Sequence, residues 1–160
     1  MQIYVLRHGI AEDAGPGRPD SDRALTDEGK EKLRRVLKRA RAGGASPSLI
    51  LSSPYKRAIE TAEIAADVLG CKEEIQRTRA LLPEASPFQT WEEIRAYKGQ
   101  SAILLASHEP LTGSLVSFLL NSPALEVEMK KAALVRIDFE RVTPQPHGIL
   151  KWMLVPSLAE

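Results

Sequence analysis

Gln2-Ile3-Tyr4-Val5-Leu6-Arg7-His8-Gly9 is the stretch that decides the fold class. Ile3 to Leu6 form a β-branched and aromatic run, too short to span a membrane and without polar alternation. They read as a strand buried on both faces, as in a parallel sheet. Arg7, His8 and Gly9 then fall at the carboxyl end of that strand. In open α/β sheets this edge is where ligands bind, because the connecting loops splay apart there and helix amino termini face the crevice.

The same succession of strand, polar ending and helix recurs twice. Leu49-Ile50-Leu51 runs into Ser52-Ser53-Pro54, with Ser53 expected as N-cap and Pro54 at the first helical position. The helix carries Ala58, Ile59, Ala62, Ala66 and Leu69 inward and closes at Gly70, which puts Arg57 in its first turn, over the same edge as His8. Ala102 to Ala106 is a third buried strand that delivers Ser107 and His108 to a helix opened by Pro110, with Leu111, Leu115, Phe118 and Leu119 as its apolar stripe. Between these units, Ile10 to Leu25 is a long irregular loop. A helix capped by Thr26 follows to about Arg41, burying Leu33, Val36, Leu37 and Ala40, while its many basic residues read as a solvated face. Ile75 to Leu81 is expected as a strand and Pro87 to Tyr97 as a helix. Ala133 to Phe139 and Ile149 to Leu154 are expected as a hairpin-like finish. Strands alternating with helices predict an α/β fold.

Composition sets the outer limits. A chain of 160 residues, 43% hydrophobic and 27% charged, has the size and balance of one globular domain over residues 1–160. A net charge of +1 predicts no broad attraction to nucleic acid, and no long apolar run predicts membrane insertion. The single cysteine, Cys71, excludes an intramolecular disulfide and reads as a passive thiol. With no leader sequence, the expected location is the cytoplasm. Gly15-Pro16-Gly17 is no dinucleotide fingerprint, since proline interrupts it and no helix follows.

If the three strands are parallel neighbours, His8, His108, Arg7 and Arg57 converge at one edge, beside helix starts that favour phosphate. Guanidinium groups match phosphoryl oxygens with paired hydrogen bonds, and a neutral imidazole is a competent nucleophile near pH 7. A metal site built from His8, His108 and His147 is disfavoured, because no close ligand pair exists in the sequence.

Leu6-Arg7-His8-Gly9, Leu25-Thr26-Asp27-Glu28-Gly29, Ser52-Ser53-Pro54-Tyr55-Lys56-Arg57-Ala58 and Ser107-His108 together resemble the histidine phosphatase superfamily, which includes the phosphoglycerate mutases, over nearly the whole chain. The small size, Arg23-Ala24-Leu25-Thr26 and His108-Glu109-Pro110 look most like the short bacterial phosphohistidine phosphatases of SixA type. The resemblance implies a phosphoglycerate mutase-like three-layer α/β/α sandwich, mostly parallel and without a large insertion domain. It implies an in-line attack by His8 on phosphorus, a transient phosphohistidine and its hydrolysis, with no metal and no cofactor. Arg7, Arg57 and a protonated His108 would hold the phosphoryl oxygens, Gly9 would belong to the binding motif and Arg23 would add a contact from the loop. Phosphate or sulfate would fit the pocket.

The general acid is the open position. An alkoxide leaving group needs a carboxylic acid to protonate it, whereas imidazole departs from phosphohistidine more readily. Glu84, in Leu82-Pro83-Glu84-Ala85, lies at about the right place in the chain, with Glu12 and Glu109 as alternatives. The missing acid motif and the small size favour an open pocket acting on a phosphorylated protein such as a histidine-containing phosphotransfer domain. In that reading the loop from Ile10 to Ala24 serves protein substrates more than small ones. A phosphomonoesterase for a small metabolite, with Glu84 as its acid, is the alternative. A non-catalytic phosphoprotein-binding module is more remote.

Overall fold

The computed structural model describes residues 1–159. Six strands form one sheet: β1 (Gln2–Arg7), β2 (Leu49–Ser52), β3 (Gln76–Arg77), β4 (Ala102–Ser107), β5 (Leu134–Asp138) and β6 (Ile149–Leu154), in the order β3-β2-β4-β1-β5-β6. The first four are mutually parallel, while β5 and β6 are antiparallel to their neighbours. Residues 139–148 separate β5 from β6, too few for the crossover that a parallel pair requires. The hairpin-like ending follows from that length.

Helices α1 (Asp27–Ala42) and α2 (Lys56–Leu69) cover one face, and α3 (Pro87–Ala96) and α4 (Leu111–Leu119) the other. Alternate residues of each strand serve the two layers. Tyr4, Leu6, Ile50 and Leu104 pack with Leu33, Val36, Leu37 and Ala65, whereas Ile3, Val5, Leu51 and Leu105 pack with Trp91, Ile94, Leu115 and Leu119. The fully buried Trp91 also donates its indole N–H to the Thr143 carbonyl at 2.9 Å, tying the 139–148 link to α3. The chain is the three-layer α/β/α sandwich expected, with no large insertion.

Register positions the site. Arg7 lies opposite Ser107, and Ser52 opposite Ala106, so β1, β4 and β2 end level and release His8, His108 and Ser53 at one edge. Thr26 caps α1 as expected, its side chain accepting from the Gly29 N–H at 3.0 Å.

Two local expectations are corrected. The strand expected over Ile75–Leu81 shrinks to Gln76–Arg77, because the Thr78 hydroxyl captures the Ala80 N–H at 3.1 Å and turns the chain into a short 3-10 segment, Arg79–Leu81. Helix α2 starts at Lys56 with Tyr55 at its N-cap position, not at Ser53-Pro54. The Ser53 hydroxyl accepts from the Tyr55 N–H at 3.3 Å in a preceding turn and meets His108 instead. Arg57 still falls in the first turn.

Gly29 lets α1 approach the segment after β1. A Cβ there would lie 2.2 Å from the Ile10 carbonyl oxygen and 2.9 Å from the Ile10 nitrogen, both backbone atoms. Alanine gains about 1 kcal/mol over glycine inside a helix. Overpacking against backbone costs about 3 kcal/mol and so outweighs it. Gly29→Ala should therefore lower the unfolding free energy in urea by about 2 kcal/mol; an unchanged midpoint would mean that the Gly9-Ile10 backbone yields freely.

Candidate active site

His8 sits at the end of β1, 6% exposed, its backbone N–H donating to the Ser107 carbonyl at 2.9 Å. Its Nδ1 lies 2.7 Å from the Gly9 carbonyl oxygen. A carbonyl can only accept, so Nδ1 carries the hydrogen and Nε2 presents its lone pair. Arg57 donates its Nε–H to that Nε2 at 3.3 Å. Burial pushes the His8 pKa down to about 4, and the charges of Arg57, Arg7 and Lys131 add to the effect against the Gly9 hydrogen bond. At neutral pH His8 is an oriented, unprotonated imidazole.

Gly9 lies behind the ring. Its N–H donates to the Thr61 hydroxyl at 3.2 Å, and that hydroxyl donates to the Arg57 carbonyl at 2.7 Å, so one α2 side chain links the two functional segments.

His108 follows β4 and is 1% exposed. Its Nε2 is 2.7 Å from the Ser53 hydroxyl oxygen, and its ring centroid is 5.1 Å from those of both His8 and Tyr55. Its Nδ1 is buried with no hydrogen-bond partner. Burial first, then His8 and Arg57, push its pKa down to about 3. The protonated His108 expected from the sequence thus requires an anion beside it. Without one, desolvation and the surrounding cations keep the ring neutral.

Arg57, 4% exposed, is gripped from the long loop: Nη1 donates to the Asp20 carbonyl at 2.8 Å and Nη2 to the Asp20 carboxylate at 3.1 Å. Arg23 donates its Nε–H to the other Asp20 oxygen at 2.9 Å. Burial works against the Asp20 carboxylate, yet Arg57 and then Arg23 outweigh it and hold its carboxyl below the ordinary value. Arg7 donates Nη1–H to the Met129 carbonyl at 2.8 Å, while its Nε is buried without a partner.

Arg7, His8, Ala11, Asp20, Arg23, Arg57, Pro83, His108, Glu109 and Lys131 line one cleft of about 290 Å³. Its volume suits a phosphoryl group and a small leaving group. Its charged walls are four cations against two carboxylates. Of the residues expected at the site, His8, His108, Arg7, Arg57 and Arg23 converge here, whereas Gly9 stays outside the lining, behind the His8 ring, and so does Glu84. Glu84 is exposed and outside the lining, although Pro83 before it is inside. Glu12 pairs with Arg18 away from the lining. Glu109 is in the lining, but its carboxylate accepts from the Thr112 hydroxyl and, at 2.7 Å, from the Gly113 N–H at the start of α4. Asp20, Ser53 and Lys131 are the participants that sequence reasoning missed. Asp20 is one of several acids in a charge-rich loop, and only its spacing of three from Arg23 hints at a shared role. Among the described residues, no group of three or more His, Cys, Asp or Glu side chains is arranged to hold a metal ion.

A family model described as histidine phosphatase superfamily, branch 1, matches residues 3–83, which include β1, the loop, α1 and α2. The chain belongs to the histidine phosphatase superfamily. Among curated proteins, this histidine phosphatase is similar to the phosphohistidine phosphatase SixA of Escherichia coli strain K12, at 31% identity over 98% of this chain and 94% of the relative. It is also 30% identical to an uncharacterised protein of Picosynechococcus, over 98% of this chain and 96% of that one. Among solved structures, a protein histidine phosphatase SixA complexed with tungstate superposes with a TM-score of 0.85, at 25% identity and covering 98% of both chains. No described helix of this family member is long and apolar enough to cross a membrane.

The depressed histidines set a pH dependence. Their folded-state values lie below the ordinary 6.5, so between about pH 4 and 6.5 the unfolded chain binds more protons than the folded one. Stability is therefore full above pH 6.5 and declines as the pH falls through that window. NMR titration of the anion-free protein should show neither ring protonating above about pH 5, and saturation with tungstate should move the His108 transition upward. A His108 transition near pH 6.5 without an anion would contradict the burial argument.

Proposed function

We propose that the protein removes the phosphoryl group from phosphohistidine on proteins, through a covalent phosphohistidine intermediate on His8. The observation that carries this reading is the Nδ1–H to Gly9 carbonyl bond, which leaves His8 Nε2 unprotonated in a cleft rich in cations. Nε2 attacks phosphorus, and the P–N bond to the substrate imidazole breaks as the leaving ring takes a proton from water. A water molecule then attacks phosphorus from the side the ring has vacated. The P–Nε2 bond breaks, inorganic phosphate leaves and His8 is restored. Arg7, Arg57 and Arg23 hold the phosphoryl oxygens through both steps, and His108 gains its proton as charge gathers beside it.

The acid side of the cleft supports a nitrogen leaving group. Asp20 is committed through both oxygens to Arg57 and Arg23, Glu109 accepts through Oε1 from Thr112 and Gly113, and Glu84 faces solvent. Both carboxyls of the lining are thus held as acceptors, Asp20 by cations and Glu109 by a hydroxyl and a helix-start N–H, which argues against either serving as the acid for an alkoxide. Imidazole, a much weaker base than an alkoxide, leaves without one. Similarity to a relative named phosphohistidine phosphatase points the same way.

The loop from Ile10 to Ala24 also reaches the cleft. Asp20 within it holds Arg57, so its removal impairs small and protein substrates alike.

Incubation with a phosphohistidine protein, an aryl phosphate and sugar phosphates, with rapid quenching, tests the reading. We expect an acid-labile phosphoenzyme that His8→Ala lacks, with turnover down by at least ~10³-fold, as when a covalent nucleophile is removed. Full activity in His8→Ala would refute the mechanism. Glu84→Gln should leave phosphohistidine hydrolysis within about twofold, because exposed side chains away from the reacting atoms contribute little. Collapse of sugar-phosphate turnover in that variant would instead identify a metabolite phosphatase with Glu84 as its acid.

A further inference from the structure

A second cavity, of about 660 Å³, adjoins the cleft. Arg7 and Lys131 line both, so the two form one continuous surface. With Lys32, Arg35 and Lys130 this groove presents five cationic residues and, among the described residues, no carboxylate in its lining, although the whole chain carries a net charge of only +1. Ile10 and Val155 give it an apolar wall. Lys32 and Lys130 pair at 2.8 Å with Glu28 and Glu128, whose side chains are 66% and 77% exposed. Such solvated pairs are weak and exchange readily for another carboxylate.

We propose that this groove docks an acidic segment of the phosphoprotein substrate, in which carboxylates flank an apolar side chain near the phosphohistidine; the identity of that substrate rests on the function proposed above. Charge complementarity argues for a carboxylate-bearing partner, and the apolar wall argues for a protein. The lining offers no aromatic ring on which a nucleic acid base would stack. Because the groove meets the cleft at Arg7, a segment seated there places its neighbouring histidine beside His8. Recognition is thereby separated from chemistry: the cleft reads the phosphoryl group, and the groove reads the protein that carries it.

Fluorescence anisotropy tests this with a fluorescein-labelled, unphosphorylated peptide bearing Glu and Asp around leucine and histidine, its Gln and Asn counterpart, and a single-stranded oligonucleotide. At low salt the acidic peptide should bind about tenfold more tightly than the neutral one, with the gap closing as ionic strength rises. The double variant Lys32→Glu/Lys130→Glu should lose the preference while hydrolysing an aryl phosphate at the wild-type rate. Equal affinity for both peptides, an undiminished preference in the double variant, or tighter binding of the oligonucleotide would overturn the proposal. The binding measurement involves no turnover. Loss of phosphohistidine hydrolysis as the substrate, with the acidic peptide still held through Lys32 and Lys130, would sink the functional reading and support the docking surface.

Discussion

A single hydrogen bond, from His8 Nδ1–H to the carbonyl oxygen one residue further on, orients the chemistry of this protein. A histidine that could rotate, or exchange its tautomer, would present a lone pair to phosphorus only part of the time. The Gly9 carbonyl removes that freedom, and the carbonyl is itself held in place. Gly9 is fastened to Thr61 on α2, the next residue meets the first turn of α1 at Gly29, and the His8 N–H is bound to β4. Three elements distant in sequence thus converge on one dihedral choice. Such support from packed neighbours is what a preorganised site requires.

Electrostatics supply the second half of the design. Arg7, Arg23, Arg57 and Lys131 surround two imidazoles that burial has already made reluctant to charge. Only Asp20 and Glu109 answer them in the lining, and Glu109 is turned to the start of α4. The excess positive charge lies in a partly desolvated cleft, where each interaction with an anion is stronger than in bulk water. The unpartnered Arg7 Nε–H belongs to the same pattern, since a buried donor without an acceptor costs roughly 1–3 kcal/mol. A phosphoryl group relieves the charge excess, and its oxygens are acceptors for which such donors are suited. Asp20 meanwhile keeps Arg57 and Arg23 ordered.

Much of this was legible in the chain because three buried strands each end in an unusual residue. Apolar runs at Ile3–Leu6, Leu49–Leu51 and Ala102–Ala106 carry their own strand signal, and parallel neighbours bring their carboxyl ends level. His8, His108 and the first-turn Arg57 therefore follow from local pattern and one topological assumption. What could not be read depends on partners far away in sequence. Ser53 has the look of a cap, but His108, 55 residues on, takes its hydroxyl. Asp20 sits in a loop without periodicity, where no acid is distinguishable from its neighbours. Glu84 was placed by chain order alone, and chain order does not say which way a side chain turns after a 3-10 segment. The basic run on α1 read as a solvated face because helical spacing could not foresee that Lys32 and Arg35 border a groove with the 130–131 turn.

The cleft is asymmetric, and that asymmetry limits its chemistry. His8 and the cations dominate its lining, whereas its two carboxylates are both held as acceptors, Asp20 by Arg57 and Arg23 and Glu109 by Thr112 and Gly113. Such a site accelerates departure of a group that leaves unaided, and it discriminates against one that must be protonated as it goes. The proposed specificity for a nitrogen-bound phosphoryl group then needs no pocket shaped around the leaving ring. Under the proposed function, the bond is selected by how readily its leaving group departs, and the surface around the cleft is left free to select the protein that bears it.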